Sequence, residues 1–126
     1  LSAYKSSPYF DFYGEEFAPF FERRYEFLID WNADLCRTAM RALGIGKELN
    51  VSERWINAEA TVAFDYDLRG AFSPKPRLAM ADERFTPQPY CQVFADRAPF
   101  APNLSILDLL FCEGPAATTI LRSCLR

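Results

Sequence analysis

The sequence predicts a mainly α fold: a compact helical domain with a few short extended segments. Three stretches carry that expectation. Phe10, Tyr13, Phe17 and Phe20 recur at helical spacing, and so do Leu28, Trp31, Leu35, Ala39 and Ala42. Later, "SILDLLFCEGP" is an apolar run opened by polar residues and closed by Gly114-Pro115. The 126 residues suit a single domain over 1–126, and folding should bury roughly two-thirds of the surface an unfolded chain exposes. Half of the residues are apolar and twelve are Phe, enough for a core.

Taken in order, Ser7-Pro8 reads as a helix start, with a capping hydroxyl before a proline at the first helical position. Glu15 and Glu16 fall opposite the aromatic face. Pro19 has no N–H for the carbonyl four residues back, so a kink or break is expected near Ala18. "YEFLIDWNADLCRTAMRALGIG" is the strongest helix. Its acids come early and Arg37 and Arg41 late, which suits the helix dipole, and Gly44 supplies a left-handed stop. Its stripe from Leu28 to Ala42, flanked by Phe27 and Leu43, is read as core.

From Lys47 to Pro102 the pattern weakens. "KELNV" reads as a short strand, and Ser52 as the cap of a helical turn through Trp55. "ATVAFDYDLR" alternates, with Val62, Phe64, Tyr66 and Leu68 on a buried side and Asp65, Asp67 and Arg69 opposite. "GAFSPKPRL" and "TPQPY" are proline-rich ordered loops, and "CQVF" is a further extended candidate. Pro102 and Asn103 make a turn. Ser105 and Asp108 then form an S-x-x-D variant of the capping box, with Asp108 reaching back to free N–H groups. The helix they open is apolar nearly all round, and Gly114-Pro115 launches a last one, "PAATTILRSCLR".

Composition excludes several chemistries. Histidine is absent, which removes Ser-His-Asp and Cys-His catalysis and His-ligated metal within the chain. Cys36, Cys91, Cys112 and Cys124 make no C-x-x-C pair and are read as reduced, partly buried thiols of a cytoplasmic protein. With a net charge of −3 and scattered bases, nucleic acid is not an expected partner. No metal site, no cofactor, no export and no membrane span is expected.

The candidate residues divide by how well local structure accounts for them. Ser105 and Asp108 have sufficient reason as caps. An anion at that helix N-terminus would meet the charge of Asp108, and Ser105 lacks a base to make it a nucleophile. Asn103 and Glu113 have no such local reason and stand as binding candidates. Asp67 and Arg69, with Asp65, are either a solvated, salt-bridged face or a cluster for sugar hydroxyls, where Asp accepts and Arg donates. Tyr4, Lys5, Tyr9, Tyr90 and Gln92 set donors on apolar or loop segments, either as core residues with satisfied hydroxyls or as binding candidates, of which Tyr90 and Gln92 are carried forward. No catalytic residue is assigned.

"YCQVFADRAPFAPNLSILDLLFCEGP" resembles the C-terminal signature of the WbqC-like protein family. The matching residues are Tyr90, Gln92, Phe100, Pro102, Asn103, Leu104, Ser105, Ile106, Asp108, Leu110 and Gly114. "YKSSPYF" looks like a further element of that family, and "YEFLIDWNADLCRTAMRALGI" is similar to the helix that follows it. The resemblance implies that the chain is the C-terminal part of a longer member, lacking a preceding half with a "QPYFFP"-type segment. It also implies a part in O-antigen, lipopolysaccharide or other surface-polysaccharide biosynthesis in a bacterium. The partner would be a nucleotide-sugar or glycan precursor, and a homo-oligomer is a further expectation. Group transfer to a nucleotide-linked sugar and a non-catalytic scaffold or partner-binding module both stay open, so whether the chain is an enzyme stays open too.

Overall fold

Pro19 does divide the first helical segment. In the computed structural model, which describes residues 4–57, 66–69 and 83–126, helix α1 spans Phe10–Phe17 and helix α2 spans Pro19–Glu22. Ala18 joins them, and proline begins α2 where an N–H has no partner to lose. Helix α3 follows over Leu28–Ala42, and the Trp31 indole donates to the Phe20 carbonyl at 2.9 Å, tying α3 to α2. Gly44, at φ +67°, ends α3 in a Schellman arrangement: Gly44 N–H bonds Arg41 O and Ile45 N–H bonds Met40 O. Helix α4 is Ile106–Glu113, a 3-10 turn covers Gly114–Ala116, and helix α5 is Ala117–Ser123. The described residues are therefore mainly α, with one isolated bridge, Phe85 to Leu125, in place of a sheet.

Two compact units divide the chain: Leu1–Leu49 with Phe85–Arg126, and Asn50–Arg84. The described helices all belong to the first. Its core gathers Tyr13, Phe17, Leu43, Leu109, Leu110, Phe111 and Ala117, with Phe10, Phe20, Leu35 and Ala39 packed against it. Phe111 is the hub. Its ring meets Tyr4 and Phe10 at 5.4 Å and Phe17 at 6.1 Å, all edge-to-face. Each such pair adds about 0.5–1.5 kcal/mol beyond the apolar area it buries. Thr118 of α5 donates to the Leu43 carbonyl, fastening the end of α3 to the C-terminal helix.

Several expectations need correction. Ser7 does not cap α1. The helix begins at Phe10 without a side-chain cap, while Ser7 is buried. The α3 stripe is core only from its middle onward, for Leu28 is 70 % exposed, whereas Ala33 and Thr38 are buried. "KELNV" forms no strand, Ser52 opens no helical turn, and "CQVF" runs into a turn. In the second unit Tyr66 and Leu68 are exposed rather than buried. Asp65 and "GAFSPKPRL" lie outside the described residues. The cysteines are all free, but only Cys112 and Cys124 are buried, while Cys36 and Cys91 are exposed.

Candidate functional site

Helix α4 is apolar almost all round, and every residue from Asp108 to Cys112 is buried. A carboxylate in such a helix must find a partner inside the protein. Asp108, 5 % exposed, finds it in Tyr90, whose hydroxyl donates to Oδ2 at 2.6 Å. This corrects the expected role of Asp108. Ser105 does cap α4, accepting from the Leu107 N–H at 3.3 Å, but the Asp108 carboxylate is turned to Tyr90.

The loop before α4 is shaped by Gln92. Its side-chain Nε2 donates to Ala101 O at 2.8 Å, and its Oε1 accepts from Ala101 N–H at 2.9 Å. That side chain does for Ala101 what a neighbouring strand would do, and it pins both ends of the intervening loop. Inside the loop, Arg97 and Ala98 N–H groups bond the Phe94 carbonyl. The ring of Phe100 meets Tyr90 edge-on at 5.3 Å.

Between this loop and α4 lies a cavity of about 200 Å³. Val93, Phe94, Ala98, Pro99, Ala101 and Leu104 make its apolar walls, and Tyr4, Gln92 and Asp108 supply the polar groups. Burial, then the Asp108 carboxylate and the Cys112 sulfur, push the Tyr4 phenol upward in pKa. Burial also raises Tyr90, reinforced by its bond to Asp108 and opposed by Gln92. Both phenols are thus neutral donors near neutral pH. The Cys112 thiol is raised as well, first by burial and then by Asp108, against the pull of the Val93 N–H and the Ser7 hydroxyl. A buried thiol held in its protonated form is a poor nucleophile.

The other candidates have different surroundings. Asn103 takes φ +59°, the left-handed conformation that Asn tolerates better than most residues, and so closes the turn before α4. Glu113 Oε1 accepts from the Cys91 N–H at 3.0 Å and holds the Tyr90–Gln92 segment against the end of α4. In the second unit Asp67 and Arg69 face each other: Nη2 to Oδ2 is 2.7 Å and Nε to Oδ1 is 2.9 Å. Arg69 also donates to the Ile56 carbonyl and lies over the Trp55 ring at 5.2 Å. The fork is spent within its own unit.

Tyr90 and Gln92 are therefore brought together with Tyr4 and Asp108. Sequence reasoning missed Asp108 as a cavity residue because a capping box explained it. The available signal was a carboxylate set within an apolar run, in a helix with no polar face. Among the described residues no three Cys, Asp or Glu side chains stand close enough to hold a metal ion. No described helix is long and apolar enough to cross a membrane.

The WbqC-like protein family matches the chain over residues 1–69. That span is the N-terminal part of the chain, through α1 to α3, and not the segment 90–114 on which the sequence resemblance chiefly rested. No curated protein and no solved structure matches the chain.

Proposed function

Because the chain belongs to the WbqC-like protein family, we propose that it acts in the biosynthesis of O-antigen or another surface polysaccharide and binds a glycan precursor at the Asp108 cavity. The observation that carries the reading is a buried carboxylate lining a monosaccharide-sized cavity beside two phenols. A carboxylate accepts from sugar donors in fixed directions, and Tyr4 and Gln92 add further polar groups to the lining. The sugar of a nucleotide-linked precursor enters the cavity, while the nucleotide stays outside. In a group transfer to that sugar, the free oxygen of Asp108 takes the proton of the attacking hydroxyl or neutral amine as its bond to the incoming group forms and that group's bond to an activated donor breaks, the donor leaving with the bonding electrons. The four free thiols suit a reducing, cytoplasmic setting.

Amide-proton NMR of the chain titrated with a panel of nucleotide sugars tests this. Saturable shifts at residues 90–108, absent in Asp108→Asn, are expected. A panel that moves nothing there overturns the reading.

A second reading, a non-catalytic partner-binding module, draws on a different observation. Phe12, Phe21, Phe27, Leu28 and Ile29 are all more than half exposed. Exposed aromatics of this kind are characteristic of protein-binding surfaces. Saturable sugar binding would count against that reading as the main function.

A further inference from the structure

The cavity has a charge balance that its walls do not complete. Asp108 belongs to none of the ion pairs among the described residues, which join Arg37 to Asp34, Arg69 to Asp67 and Arg97 to Asp96. The groups that face it are Tyr90, Tyr4 and Cys112, none of them cationic, with Glu113 at the far end of the same helix. Tyr90 satisfies Oδ2 and leaves the rest of the carboxylate's accepting capacity for something else. A buried carboxylate without a cation nearby is costly, and a ligand that brings the cation recovers that cost. A neutral hydroxyl would return only a hydrogen bond.

The walls add a second requirement. Val93, Phe94, Pro99 and Leu104 offer carbon surface and no hydrogen-bonding side chain. A fully hydroxylated ring would leave hydroxyls unpaired against them, whereas a methyl or methylene would be received favourably. Tyr4, which also lines the cavity, adds a neutral phenol and no competing cation.

We infer that the cavity selects a protonated amine carried on a partly deoxygenated sugar, with the ammonium on Asp108 and the deoxygenated carbon against the apolar loop. The sugar component rests on the function proposed above. The selectivity for ammonium rests on the cavity alone.

The test compares four ligands on the whole chain by amide-proton NMR near neutral pH. They are the methyl glycosides of 4-amino-4,6-dideoxyglucose, 6-deoxyglucose and glucose, and n-propylamine. The amino sugar is expected to bind at least about tenfold more tightly than the neutral 6-deoxy glycoside, as a charge-assisted bond implies. Asp108→Asn keeps an acceptor for Tyr90 and should abolish that preference. The wild-type comparison stands by itself if the variant does not fold. Equal binding of amino and neutral 6-deoxy glycosides overturns the ammonium inference and leaves the glycan reading intact. Binding of propylamine but of none of the three glycosides overturns the glycan reading and leaves the ammonium selectivity. If none of the four shifts a cavity resonance, both fall.

Discussion

Tyr90 and Asp108, eighteen positions apart in sequence, are joined by a 2.6 Å hydrogen bond that ties the loop before α4 to the first turn of that helix. A bond of this type to a charged acceptor contributes about 1.5–3 kcal/mol. Tyr90→Phe keeps the ring against Phe100 and removes the hydroxyl, so urea denaturation should register a loss of that size. The same variant should alter the alkaline limb of stability. The folded protein raises Tyr90 above the ordinary phenol value through burial and Asp108. The unfolded chain releases the proton near about 10, so above that pH it binds fewer protons than the native state. The stabilisation is thus complete below about 10 and lost as pH rises toward the folded value. Urea midpoints measured across that range should fall less steeply in Tyr90→Phe, with Tyr4 accounting for part of the remaining slope.

Gly114 is required twice over. Its backbone is at φ +51°, and a Cβ built there would stand 2.5 Å from the ring of Tyr9. Gly114→Ala is expected to cost about 2–4 kcal/mol, combining backbone strain with overpacking. In a Tyr9→Ala background the ring is gone and the strain remains, so the cost should shrink to about 1–3 kcal/mol. A double-mutant cycle by thermal or urea unfolding checks this. Equal costs in the two backgrounds would show that the ring contact contributes nothing.

The exposed Asp67–Arg69 pair makes an acid-side prediction. Hydrogen bonds from Arg69 hold the Asp67 carboxyl down to about 2. A lowered carboxyl pKa stabilises the folded unit above the unfolded value of about 3.9, and the effect is lost as pH falls through about 2. Carbon-detected NMR titration should give a midpoint near the lower value. In Arg69→Ala it should return toward the ordinary one.

The local features of the fold were legible in sequence, because each depends on residues a few positions apart. Pro19 breaks the first helix, Gly44 stops α3, and Ser105 caps α4, all for reasons carried by adjacent residues. Asp108 was not legible, since the hydroxyl that accounts for it arrives from Tyr90 through tertiary packing. Glu113 is a similar case, with its partner N–H at Cys91 twenty-two positions back. Asn103 was nearer to being readable, since a Pro-Asn turn often needs a left-handed residue. Alternation misled at Tyr66 and Leu68, because period-two spacing signals a buried face only when a neighbouring layer covers it. Of the candidate site, Tyr90 and Gln92 were readable in sequence, but not the cavity that Gln92 lines and whose Asp108 Tyr90 holds.

The amide pairing of Gln92 with Ala101 has an evolutionary consequence. It closes residues 93–100 into a cassette whose two ends are fixed by one side chain. Insertions or replacements within the cassette would resculpt the cavity wall, of which Phe111 is no part. Variation in ligand choice among proteins built on this plan should therefore accumulate there, with Gln92 and Asp108 kept as the frame.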